Sequence, residues 1–426
     1  MPRSKDLDGI LKSLRSSEVS VREKAQGDLF RLRHQADHLT VADGLKALRA
    51  AAETYPFDKP TPEEVSEDLV DVAARNSRPE YIPVVVELFD KFSSKAKWSA
   101  LVILASLENQ EAAIAYMEVV RKHAKTGGIP RLVTGPLENG PRHADVFFPE
   151  ILNYANIPSL TADIYRLCLS YVEAELVSDE QLEPFTGQVV THYRDLDDKL
   201  RPVQRDEGIG WMWEEPYIES RIEAGMLLDL FGHFPVASVE NDLRQALERR
   251  DPRLQYFAAV SLMRLGQNVD SKYFGEIAAH SEMRTWLYQE LRRRSQLALL
   301  PEKYLTQAAL AESDMVHWLT YPTELGRVPD EIELMKVFPI DTGLTGGIYD
   351  YYLFRFRTHE PHWAAKNGWI AGISGPFRRD EQPSTDALGD TFSTFDKWDS
   401  KSPEEHIGDI REIMERWKEF HASQNE

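Results

Sequence analysis

The sequence has one cysteine in 426 residues, no run of apolar residues long enough to cross a bilayer, and no surplus of positive charge. A single thiol, Cys168, excludes an internal disulfide, and no Cys/His spacing suited to zinc occurs. Its surroundings, "TADIYRLCLSYVEAEL", follow helical apolar spacing, so Cys168 reads as a small buried hydrophobe rather than a reactive thiol. No window approaches about eighteen apolar residues, and a membrane span is not expected. The opening "MPRSKDLDGILKSLRSS" is broken by charge and lacks the apolar stretch of a secretory signal. A formal net charge of −20 opposes binding to a phosphate backbone. These absences fit a cytoplasmic protein with no nucleic acid or membrane among its partners.

What is present is helix after helix. Alternating strand patterns are nearly missing before residue 335. In "TPEE", Thr61 offers a cap, Pro62 a first helical position and Glu64 the reciprocal acceptor. In "DPRLQYFAAVSLMRLG", Asp251 caps, Pro252 opens and Gly266 can close the helix. Leu254, Ala258, Leu262 and Leu265 fall on one face of that helix. The same frame fits Val21, Ala25, Leu29 and Leu32, then Ala96, Ala100, Leu104 and Leu107, and more loosely Ser220, Ala224, Leu228 and Phe231. The second position is alanine each time, which lets a neighbouring helix approach closely. On these residues, "VREKA" and "DPRLQYFAAVSLMRLG" above all, the chain resembles HEAT-like helical repeats with a ragged period of about 34–41 residues. The resemblance implies an α-solenoid, with an irregular helical domain as the alternative.

One connection stands out. "RPVQRDEGIGWMWEEPYIESR" carries Trp211 and Trp213 ahead of a helix near Tyr217. These three aromatics form either a plug over one edge of the core or an anchor for a partner. The organisation changes after "TYPTELGRVPDEIELMKVFPIDTGLTGG", and a boundary is expected near Met335, giving a helical-repeat domain over 1–335 and a small α+β domain over 336–426. Acidity is not confined to this tail, where 11 basic and 16 acidic residues follow from Lys336 onward. "YDYYLFRFR" predicts a strand with Tyr352, Phe354 and Phe356 on one face and Tyr351, Leu353, Arg355 and Arg357 on the other. "GWIAGISG" predicts a second strand and "TFSTF" a short third. "KSPEEHIGDIREIMERWKEF" predicts a helix capped by Ser402, with Ile407, Ile410, Met414 and Trp417 as its apolar stripe. The fold class is therefore mainly α, a helical array followed by an antiparallel sheet with one packed helix. The tail resembles those that end some bacterial helical-repeat chains.

No catalytic constellation rises above background. In "HEPH", His359 and His362 straddle a proline without a third ligand, so a polar turn is expected rather than a metal site. "DTGLTGG" precedes a strand and lacks the lysine and hydroxyl ending of a phosphate loop. "GISGP" has Pro376 where a nucleophile elbow needs glycine, which argues against Ser374 as a nucleophile. The basic clusters "LRRRS" and "LERRDPR" are expected to pair with carboxylates at helical spacing. The leading expectation is a non-catalytic protein-binding or scaffold protein without cofactor or metal, whose partner is another protein of basic character. An immunity or antitoxin-like role is the narrower form of this expectation. The alternative is a hydrolase or transferase with its site between the helices and the tail. Candidate binding residues are Trp211, Trp213, Tyr217, Arg355, Arg357, His359, His362 and Trp363.

Overall fold

The computed structural model describes residues 7–34, 39–53, 57–205, 208–341, 347–359, 368–385, 387 and 396–424, with side chains as far as Arg416. Two compact units divide the chain, Met1–Gly187 and Gln188–Glu426. The first holds α1 (Leu7–Leu14), α2 (Val19–Arg33), α3 (Val41–Ala51), α4 (Pro62–Ala74), α5 (Ile82–Leu88), α6 (Ser94–Ser106), α7 (Gln110–His123), the short α8 (Gly135–Glu138) and α9 (Ala144–Phe147), α10 (Thr161–Glu173) and α11 (Asp179–Leu182). The second begins within α12 (Thr186–Leu200). It continues through α13 (Tyr217–Leu230), α14 (Val236–Leu247), α15 (Pro252–Arg264), α16 (Ser271–Ala279), α17 (Ser281–Arg293) and α18 (Gln307–Leu319). The strands β1 (Glu331–Asp341), β2 (Ile348–Arg357) and β3 (Ile370–Arg378) follow, then α19 (Pro403–His406) and α20 (Gly408–Gln424).

Local chemistry starts these helices where expected. Thr61 and Glu64 form a complete capping box at α4. The Asp251 side chain accepts from the Arg253 amide at α15, and Gly266 follows with φ +71°, a left-handed conformation that glycine adopts without a Cβ penalty. The repeated alanines mark close approach: Ala25, Ala100, Ala224 and Ala258 are all at most 1% exposed. Within each unit a helix packs on its neighbour and next neighbour, as α4 does on α3 and α6, and α15 on α13, α14, α16 and α17. Cys168 is wholly buried in α10, and burial pushes its thiol up to about 12, so it serves as packing.

The tail holds a three-stranded antiparallel sheet in the order β1-β2-β3. β2 lies in the middle and its side chains alternate as expected. Tyr352, Phe354 and Phe356 join Ala311, Met315 and Leu319 of α18, while Tyr351 and Leu353 join Ile407 and Ile410 on the other side. Both faces are thus covered, one by α18 and one by the C-terminal helix. The expected helix is two, since a turn at Ile407 separates α19 from α20; its Ser402–Glu405 capping box is present. Gly372 lets α18 settle on the sheet, because a Cβ there would meet Met315 Sδ at 3.0 Å. Gly375, at φ +133°, sits in a bulge where a Cβ would meet the Asp350 carbonyl oxygen at 2.9 Å.

One segment differs from the expectation. Residues 331–341, to which the sequence pattern assigned no strand, form β1, which runs straight through Met335. Met335 is an extra residue between Leu334, opposite Phe354, and Lys336, opposite Leu353. This bulge breaks the period-two pattern that would have announced the strand. The proposed strand at Thr391–Phe395 and the Trp417 side chain lie outside the described residues. Phe354 is fully buried between β2 and α18. Phe354→Ala should cost about 3–5 kcal/mol of unfolding free energy, measured by denaturant titration.

Candidate functional site

A buried arginine, Arg221, holds three helices of the second unit together. Arg221 points from α13 to where α15 and α17 begin and is 1% exposed. Its Nε donates to Asp251 Oδ2 at 2.7 Å, and its Nη1 and Nη2 donate to Glu282 Oε1 and Oε2 at 3.1 and 2.7 Å. The Tyr217 hydroxyl donates to the same Asp251 oxygen at 3.0 Å, while Asp251 Oδ1 caps α15. One carboxylate therefore neutralises a cation, holds a phenol and starts a helix. Burial works against the charge on Arg221, but the two carboxylates outweigh it and hold its pKa above the ordinary value. Arg253 stands nearby, its Nη1 3.8 Å from Glu282 Oε1. Burial, and then the charge of Arg221, push it below its ordinary range.

Arg253 also joins this cluster to a surface row of rings. Its guanidinium lies 5.6 Å from the Phe257 ring and 5.4 Å from that of Trp286. Phe257 on α15 meets Trp286 on α17 at 6.3 Å, Trp286 meets His317 on α18 at 5.7 Å, and His317 meets Tyr321 at 5.8 Å. Phe257, Trp286 and His317 are half-buried, and Tyr321 is 51% exposed. The row extends towards α13, where Phe257 packs on Gly225 and Ile222, one turn earlier, is 48% exposed. These rings lie on successive helices, so their sequence spacing follows the helix spacing, with Phe257, Trp286 and His317 about thirty residues apart. Reading each helix singly missed them.

On another side of the cluster, two adjoining cavities of about 380 and 220 Å³ share Ile209, Met212 and His280. The smaller reaches from Glu282 and Glu312 to Asp330 and Ile332 at the start of β1. Burial lowers the pKa of His280, so its ring is neutral near pH 7. The acidic groups of the smaller cavity are already engaged. Glu282 binds Arg221, Glu312 accepts from Arg284 at 3.2 Å, and Asp330 accepts from the His359 amide at 2.7 Å. Each of the three carboxylates lining the smaller cavity therefore already accepts from a donor. Among the described residues no group of three or more His, Cys, Asp or Glu could hold a metal ion.

The residues singled out from sequence fall in two places. Trp211 and Tyr217 are buried and meet edge to face at 5.0 Å, whereas Trp213 is half-buried, its ring 5.2 Å from the Arg221 guanidinium. In the sheet, Arg355 and Arg357 stack on Trp369 at 4.4 and 4.6 Å and bind Glu333 and Glu331. His359 is exposed beside Asp330 and Glu331. His362 and Trp363 lie outside the described residues. Ser374 is buried and donates to Asp314 Oδ2 at 2.7 Å, a structural bond between β3 and α18. In the basic clusters, Arg293 and Arg294 both pair with Glu290, and Arg249 with Asp197.

Two outcomes test this geometry. Arg221→Leu strands Asp251 and Glu282 as uncompensated buried charges and should cost about 3–5 kcal/mol in urea unfolding. Burial also lowers His317 as it does His280, from a usual value of 6.5. Below that value the unfolded chain takes up protons that the folded chain resists, so this contribution to stability is present above pH 6.5 and falls as pH drops. His280→Gln and His317→Gln should each flatten the stability–pH slope below that point.

Compared with known proteins, the chain matches no protein-family model, no curated protein and no solved structure. No helix among the described residues is long and apolar enough to cross a membrane.

Proposed function

We propose that this chain is a non-catalytic protein-binding or scaffold protein built on HEAT-like repeats, and that the row Phe257–Trp286–His317–Tyr321 is its recognition surface. The observation that carries this reading is the row itself. Its rings are held by packing from three helices yet remain partly open to solvent. Large aromatics fixed in this way give contact area at little entropic cost, which is why Trp and Tyr dominate binding hot spots. Helical-repeat proteins present such rows on successive helices. The net charge of −20 favours a basic partner, and the narrower immunity or antitoxin-like role rests on that complementarity.

The two cavities around His280 support the second reading, a hydrolase or transferase. Against it, all three carboxylates lining the smaller cavity are held by donors, and its volume of about 220 Å³ is below the common range for small-molecule sites.

Affinity purification from the native host separates these readings. The protein should bring down a basic polypeptide, and Trp286→Ala with Tyr321→Ala should release it while His280→Ala does not. Trp98, 45% exposed on α6 in the other unit, supplies the control: Trp98→Ala should leave capture intact. Loss of capture on His280→Ala alone would favour the cavity reading.

A further inference from the structure

Among the described residues, the small sheet has one long edge without a strand beside it. β2 is central, and the outer side of β3 is engaged at its start, where the Ala371 amide donates to the Asp396 carbonyl at 2.9 Å and the Trp398 amide donates to that of Trp369 at 2.8 Å. The outer side of β1 pairs with no strand among the described residues. Exposed apolar side chains gather here. Leu334, Met335 and Val337 are 40, 37 and 36% exposed. An open edge of this length is a template for another strand.

We infer that β1 pairs antiparallel with β1 of a second copy of this chain, joining the two sheets across a two-fold axis. A two-fold axis perpendicular to the sheet keeps each face on its own side, so opposed residues must belong to the same face. In an unbroken strand this restricts pairing to residues an even number apart. The extra residue Met335 changes that parity. Ile332 and Val337, opposite Phe356 and Tyr352 of β2, lie on the α18 face. Glu333 and Lys336, opposite Arg355 and Leu353, lie on the other. Of the registers that satisfy both faces, one also pairs opposite charges: Glu333 opposes Lys336 of the second copy, Ile332 opposes its Val337, and Leu334 and Met335 surround the axis. The symmetry produces each pair twice.

The charges in this register form a continuous chain. Within one copy, Arg355 holds Glu333 at 2.5 Å and Lys336 bonds Glu404 on α19. Pairing inserts the Glu333–Lys336 contact between them, so that Arg355, Glu333, the second copy's Lys336 and its Glu404 alternate in sign. The occupant is thus specified by this strand's own complementarity in charge and apolar surface.

Sedimentation velocity on the full chain between about 1 and 100 µM tests the inference. A monomer–dimer equilibrium is expected, with slower hydrogen exchange over residues 331–338 in the dimer. Glu333→Lys sets like charges opposite each other twice and should weaken the dimer about tenfold. Combining it with Lys336→Glu restores opposite signs and should recover most of the loss. Val337→Lys, at a position already exposed, should also weaken association while circular dichroism stays unchanged. A monomer throughout, or a dimer indifferent to Glu333→Lys and Val337→Lys, would overturn the inference, as would binding of a different protein's strand at this edge without self-association.

Discussion

Taking a guanidinium out of water is costly unless its charge and its donors are all met, and Arg221 meets this condition only where three helices converge. The carboxylate of Asp251 comes from the cap of α15 and that of Glu282 from the first turn of α17. Neither can turn away without leaving a charge uncompensated. Sliding α15 along α13 would break the Asp251 contact, and rotating α17 would break the bidentate contact to Glu282. The ion cluster thus fixes the register of helices whose apolar surfaces alone would tolerate small shifts.

The surface row inherits that precision. Arg253 follows Asp251 by two residues, and Trp286 follows Glu282 by one turn, so the groups that lock Arg221 also set the distance between Phe257 and Trp286. α18 carries the order onward in both directions. His317 continues the row, whereas Met315 and Asp314 seat the sheet through Gly372 and Ser374. A single helix therefore supports the aromatic surface on one side and the small sheet on the other.

Much of this was legible in the sequence because it depends on neighbours in the chain. The caps at Thr61, Asp251 and Ser402, the buried alanines of the shared frame, and the alternation of β2 all follow from local spacing. What escaped depends on chain segments far apart. Arg221 reads as an ordinary polar residue until Asp251 and Glu282 are placed around it. Phe257, Trp286 and His317 belong to separate helices, and only packing makes them a row. β1 escaped for a local reason, since Met335 shifts the alternation midway and Pro339 weakens the strand signal. Trp211 and Tyr217 drew attention because aromatics in a connection are costly to expose, and packing had already removed that cost by burying both.

Gly225 has a consequence for the proposed recognition surface. A methyl group at this position would come within 2.9 Å of Phe257 Cδ2. The ring rests on bare backbone, so its depth is set from behind the surface by a residue wholly beneath it. Contour and surface chemistry are therefore separable along this row: the height of its first ring can vary through a buried position while every exposed side chain of the row stays the same.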